Sequence, residues 1–77
     1  MLRRAGWNGK NMFLYLVKGG PFKVSREPLA SIYALSDVQE LTYCDHVDMR
    51  TADGSLVPWL CSQTDMLAED WEIAPRP

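Results

Sequence analysis

The sequence predicts an α+β domain, a small antiparallel sheet of about five short strands with one or two short helices. Three observations predict it. Apolar and aromatic residues fall in short runs, the longest from Met12 to Val17. Clusters of Gly, Pro, Asn and Asp separate those runs at Gly6–Lys10, Gly19–Pro21 and Ala52–Gly54. Several runs alternate with the two-residue period of a strand. With 77 residues there is room for one domain, taken as 1–77, and for one core.

The elements follow in order. Gly6-Trp7-Asn8-Gly9-Lys10 opens as a turn, because Asn-Gly favours the positive φ of a tight hairpin. A strand from Met12 to Val17 should follow, stopped by Gly19-Gly20-Pro21, and the alternating Phe22-Lys23-Val24-Ser25 should return beside it as a first hairpin. Residues 26–40 read as a loop with a possible turn of helix between Pro28 and Leu35. Leu41 to Thr51 reads as one extended segment, with Tyr43, Val47 and Met49 on one face and Cys44, His46 and Asp48 on the other. Asp53-Gly54 marks a second hairpin turn. Leu56–Leu60 returns as a strand that Pro58 confines to an edge or an end. Ser62 or Thr64 caps a short helix through Met66–Glu69, and Asp70–Ile73 alternates as a terminal strand.

Size and composition constrain how such a domain is held together. A chain this short buries only about 60% of its unfolded surface, and its core contributes roughly 3–5 kcal/mol. Two cysteines, Cys44 and Cys61, allow at most one disulfide, and no zinc-ligand spacing is present. With 47% hydrophobic residues and three tryptophans, self-association is the expected device, so a homo-oligomer is expected. The longest apolar run falls well short of the roughly 20 residues that cross a bilayer, and the chain is read as soluble, with reduced cysteines and a cytoplasmic location. No membrane partner is expected.

The net charge of −2 hides an asymmetry. Arg3, Arg4, Lys10, Lys18, Lys23 and Arg26 come first with no acid among them, and from Glu27 onward all ten acids stand against Arg50 and Arg76. Two readings stay open: complementary halves of one fold or of neighbouring subunits, or a basic pocket for a phosphate-bearing ligand. A pI near 5.1 argues against general affinity for DNA or RNA.

Catalytic machinery is sparse. One histidine, His46, would have to serve any triad, and neither cysteine sits in a reactive context. His46 and Asp48 share a strand face at a spacing two metal ligands can use, but a structural hydrogen bond or a ligand contact accounts for them more simply. No metal or cofactor is expected. Neither Gly-rich phosphate-binding fingerprint is present. Within Trp7-Asn8-Gly9-Lys10 an aromatic plane, an amide, a freely approachable backbone and a cation stand together, which suits a nucleotide's base and phosphate; the alternative is an Asn-Gly turn whose Trp7 closes the core. Ser62-Gln63-Thr64-Asp65 offers polar side chains before a helix, where an N-cap explains one or two of them. Trp59 and Trp71 read as core or interface residues.

Read together, Gly6-Trp7-Asn8-Gly9-Lys10, Val47-Asp48-Met49-Arg50-Thr51-Ala52-Asp53-Gly54, Val57-Pro58-Trp59, Ser62-Gln63-Thr64-Asp65 and Leu67-Ala68-Glu69-Asp70-Trp71-Glu72 resemble a phage-associated family of small domains. That family is the second type of Thoeris anti-defence proteins, the signal sponges. The resemblance covers nearly the whole chain in order. It implies a non-catalytic phage protein that sequesters a nucleotide second messenger of bacterial immunity, a cyclic ADP-ribose isomer or a cyclic dinucleotide. It also implies a homo-oligomer, typically a tetramer, with pockets between subunits. By resemblance the ligand role falls on Trp7, Asn8, Lys10, His46, Asp48, Thr51, Ser62, Gln63 and Asp65. Members usually carry an amphipathic helix ahead of the Gly-Trp-Asn-Gly motif, where this sequence has Met1 to Ala5, so that helix is expected to be missing. Two other functions compete: a structural or protein-interaction module, and a phosphodiesterase built on His46 and Asp48.

Overall fold

A computed structural model describes residues 1–77. Its strands are β1 (Leu2–Arg4), β2 (Phe13–Val17), β3 (Gly20–Lys23), β4 (Glu40–Tyr43), β5 (His46–Arg50), β6 (Leu56–Pro58) and β7 (Trp71–Ile73), and its helices are α1 (Leu29–Ile32) and α2 (Gln63–Met66). The α+β class and the short helices agree with expectation; the strand number does not. Five strands form one antiparallel sheet in the order β6-β5-β2-β1-β7, and β3 and β4 form a separate two-stranded ribbon.

The register of the larger sheet explains where its packing lies. Leu2 stands opposite Leu14, Leu14 opposite Met49, Met49 opposite Val57, and Leu2 opposite Ile73. Side chains in register share a face, so these five make one apolar row across all five strands. Leu14, on the central strand, is flanked on both sides and is 5% exposed. Ile73, at the edge of the row, is 81% exposed. The only other buried residue is Ala74, whose N–H donates to the Met1 carbonyl at 3.0 Å.

Two expected features of the strands are corrected. The expected hairpin of Phe22–Ser25 on Met12–Val17 does not form: β3 pairs with β4, setting Gly20 opposite Tyr43 and Phe22 opposite Leu41. The chain leaves the sheet at Gly19, which lies so close to the Tyr43 carbonyl that any Cβ there would collide with it. Asp45 fixes the exit by accepting from the Gly19 N–H at 2.8 Å and from Lys18 Nζ at 3.2 Å. The same crossing splits the expected Leu41–Thr51 strand into β4 and β5 at Cys44-Asp45. Val47 and Met49 keep their expected alternation with His46 and Asp48, while Tyr43 belongs to the ribbon and stacks on Phe22 with ring centroids 4.5 Å apart.

The start of the chain is also different from expectation. Leu2–Arg4 is a strand, sandwiched between β2 and β7. Asn8 and Gly9 do adopt positive φ, 58° and 65°, but in a longer connection. It runs from a 3-10 turn at Ala5–Trp7 to Asn11, which also has positive φ, instead of a two-residue hairpin. Edge strand β6 ends on Pro58, Ser62 caps α2 by accepting from the Asp65 N–H, and the terminal strand forms as the sequence indicates, but α2 ends at Met66, short of the expected Glu69.

The two sheets do not stack on one another. The molecule is therefore long, 49 × 24 × 18 Å, with a radius of gyration of 16.7 Å. A compact chain of this length would have a radius of about 11–12 Å. Leu16, Ile32, Leu35, Leu56 and Leu60 are among the large apolar side chains left exposed.

Candidate functional site

The loop that carries Trp7, Asn8 and Lys10 is built from both ends of the chain. Arg4, at the end of β1, donates from Nε to Asp70 Oδ1 at 2.8 Å and from Nη1 to Asp65 Oδ1 at 2.7 Å. The other oxygen of Asp70 accepts the Gly6 N–H at 2.8 Å, so the carboxylate spans the strand and the turn after it. Those bonds push the Arg4 pKa up, Asp70 contributing most, and hold Asp70 below the usual carboxylate range, Arg4 contributing most. Above this base the three tryptophans meet edge to face. Trp7 and Trp59 both abut Trp71, with centroid separations of 5.5 and 6.2 Å. Trp71 Nε1 donates to the Asp65 carbonyl at 2.7 Å, which ties β7 to α2.

Asn8 takes its left-handed conformation as the residue ending the 3-10 turn, and its N–H donates to the Ala5 carbonyl at 3.1 Å. Its side chain and that of Lys10 are exposed. Trp7 and Lys10 line a cleft of about 90 Å³ with Arg3, Arg4 and Glu72. At α2, Ser62 Oγ both accepts the Asp65 N–H and donates to Asp65 Oδ2, each at 3.1 Å, whereas Gln63 is exposed. Trp7, Ser62 and Asp65 thus belong to one neighbourhood, joined through Arg4 and Trp71.

His46 and Asp48 lie apart from it on β5. His46 Nδ1 is 3.1 Å from the Cys44 carbonyl, and its Nε2 is 3.6 Å from Asp48 Oδ1, too long for a hydrogen bond. Asp48 stands between Tyr15 and Pro58 in register, and its Oδ1 is buried with no hydrogen-bond partner. A buried acceptor without a donor costs free energy that an incoming donor recovers. Thr51 closes the turn before β6: its hydroxyl donates to Asp53 and approaches the Ser55 carbonyl, which accepts the Thr51 N–H at 2.8 Å. With the Thr51 hydroxyl as first cause and the Ser55 N–H as second, Asp53 is lowered to a pKa of about 2. No group of three His, Cys, Asp or Glu side chains converges as a metal site would require. Cys44 and Cys61 are both free, and no helix is long and apolar enough to cross a membrane.

The model of the Thoeris anti-defense 2-like domain family matches residues 1–74. The chain belongs to that family. It is similar to a protein of Bacillus phage SP01 named Thoeris anti-defense 2, with 41% identity over 73 residues, 91% of this chain and 74% of that protein. The family resemblance read from the sequence is therefore established.

Within this Thoeris anti-defense 2-like chain, part of the charge asymmetry is pairing between complementary halves, while Lys10, Lys23 and Arg26 of the first segment make no ion pair. Arg3 with Glu72, Arg4 with Asp65 and Asp70, and Lys18 with Asp45 each join a cation of the first 26 residues to an acid of the later segment. Sequence reasoning missed Arg4, the residue that holds the Trp7 loop to α2. Its signal was present in the run of cations without acids, but the partner lies more than sixty positions away and only the β1–β7 register brings the two together.

Proposed function

We propose that this chain is a non-catalytic anti-defence protein that binds and sequesters a nucleotide second messenger of bacterial immunity, a cyclic ADP-ribose isomer or a cyclic dinucleotide, as a homo-oligomer, with a tetramer favoured. The observation that carries the reading is the family match over residues 1–74, together with a relative named for action against Thoeris. The setting in which it acts is the cytoplasm of an infected host cell, where such messengers are made.

The geometry supports nucleotide binding at two places. Trp7 lines the same cleft as Lys10, an aromatic ring suited to stacking in company with a cation. Asp48 offers a buried acceptor without a donor, suited to a ribose hydroxyl or an exocyclic amine. The other residues assigned by resemblance, Asn8, His46, Thr51, Ser62, Gln63 and Asp65, do not gather with both of these in a single cleft of one chain. Pockets completed by a second subunit account for that dispersal. Oligomerisation has its own support: with only Leu14 and Ala74 buried, a single copy lacks a core of ordinary size, and Leu2, Val57 and Ile73 of the apolar row are left exposed.

Sequestration needs tight binding and slow release, with no general acid or base. Isothermal titration against a panel of cyclic ADP-ribose isomers and cyclic dinucleotides tests the reading. Saturable binding of at least one, with the ligand recovered chemically intact after heat denaturation, is the expected result. No binding to any of them defeats the nucleotide assignment, and recovery of a hydrolysed product defeats the non-catalytic one.

A further inference from the structure

We propose that Arg3, Arg50 and Arg76 form a binding site for a phosphate or pyrophosphate group on the sheet face opposite Leu14. For its natural ligand the site rests on the nucleotide reading above; its chemistry does not. The row begins with the register. Phe13 on β2 stands opposite Arg50 on β5, and the pairing of Leu2 with Leu14 sets Arg3 on β1 across from Phe13. Arg3, Phe13 and Arg50 therefore project side by side from three adjacent strands. The tail after β7 is anchored by buried Ala74 and brings Arg76 to the same place. The three arginines, with Asn11 and Phe13, line a cleft of about 360 Å³.

The charge of this cleft is only partly balanced by side chains of the protein. Arg3 meets Glu72 at 2.8 Å. Arg50 Nη1 donates only to carbonyls, those of Asn11 at 3.0 Å and Thr51 at 3.4 Å, which orient the guanidinium without neutralising it. Arg76 has no carboxylate partner among the ion pairs of the chain. In a protein with more acids than bases, two uncompensated guanidiniums beside a third repel one another, and an anion between them relieves that repulsion. A planar guanidinium fork matches a phosphate with two parallel hydrogen bonds, which favours phosphate over a point-like anion. The cleft exceeds what one phosphate needs and falls at the lower end of small-molecule sites, about 300–1,000 Å³. It adjoins the Trp7–Lys10 cleft, with which it shares Arg3, Asn11 and Met12. A ligand whose base rests on Trp7 can therefore extend a phosphate along one continuous surface.

The test is a titration of the isotopically labelled full chain with inorganic pyrophosphate at constant ionic strength, followed by the amide signals of Asn11, Phe13 and Ala74 and the arginine Nε–H signals. Saturable shifts confined to those groups are expected, with affinity reduced about tenfold in Arg50→Gln and in Arg76→Gln and unchanged in Lys23→Gln. Arg76 lies on the tail, so its variant tests the site even where loss of Arg50 disturbs the fold. Absence of a saturable shift, equal shifts at Lys18 and Lys23, or arginine signals that respond to protein concentration and not to pyrophosphate overturns the site; the last result assigns the cleft to a carboxylate of a second copy. Full nucleotide affinity in the Arg50→Gln, Arg76→Gln double variant overturns the site while leaving the sponge reading intact. Pyrophosphate binding with no nucleotide of the panel bound leaves the site intact and overturns that reading.

Discussion

Asp70 takes the Arg4 guanidinium on one carboxylate oxygen and the Gly6 N–H on the other, both at 2.8 Å, so a residue near the end of the chain sets the start of the Trp7 loop. Asp70→Asn keeps the shape and removes the charge. It is expected to lower the melting temperature by several degrees, to speed amide exchange at Gly6, and to weaken nucleotide binding through the loop. Circular dichroism and hydrogen exchange check it; an unchanged Gly6 exchange rate contradicts it.

Trp71 and Trp7 are expected to separate stability from binding. Trp71 is the shared centre of the aromatic cluster and the donor to the Asp65 carbonyl, so Trp71→Ala is expected to destabilise by about 3 kcal/mol. Trp7 makes one edge contact, and Trp7→Ala is expected to cost about 1 kcal/mol of stability but about 1–3 kcal/mol of ligand affinity. Chemical denaturation and titration of both variants check this. Unfolding of the Trp7 variant would return that residue to a purely structural role.

Acid should loosen the fold in a defined window. Asp45, Asp53 and Asp70 are all held below the ordinary value of 3.8: Asp45 mainly by the Gly19 N–H, Asp53 at about 2 mainly by the Thr51 hydroxyl, and Asp70 mainly by Arg4. A carboxylate with a depressed folded pKa contributes stability that is complete above its unfolded pKa and is lost as pH falls through its folded pKa. Melting temperature is therefore expected to be insensitive to these groups above about pH 5 and to fall from about pH 4 toward pH 2. Asp53→Asn should flatten the most acidic part of that curve. A curve already flat below pH 4 in the unaltered protein contradicts the assignment.

Asp48 carries a buried oxygen with no donor, and that makes its substitution informative. Asp48→Asn removes the charge from a half-buried group whose Oδ1 has no donor, so the free protein is expected to melt no lower than before while nucleotide affinity falls by about tenfold. A variant that melts lower and binds normally would show that Asp48 serves the fold alone.

What the sequence disclosed was local, and what it concealed was long-range. The strand from Phe13, the β5–β6 hairpin, the Ser62 cap and the terminal strand each follow from nearby residues: an apolar run, an Asp-Gly turn, a capping hydroxyl, an alternation. Strand β1 was hidden because Leu2-Arg3-Arg4 shows no alternation and is too short to announce itself. Gly19-Gly20 read as a hairpin turn because neighbouring strands usually pair, yet its role is close approach to Tyr43 where the ribbon leaves the sheet. The site follows the same division. The Trp7–Lys10 motif was visible as a contiguous string, whereas Arg4 beneath it and the row of Arg3, Phe13 and Arg50 exist only through register.

The most direct test of the central claim is native mass spectrometry of the protein mixed with a panel of cyclic ADP-ribose isomers and cyclic dinucleotides, because it reports subunit number and bound mass together. The expected result is an oligomer, with a tetramer favoured, that retains unmodified nucleotide. A bare monomer, or an oligomer that holds none of them, would contradict the proposal that this chain sequesters a nucleotide signal as an assembly.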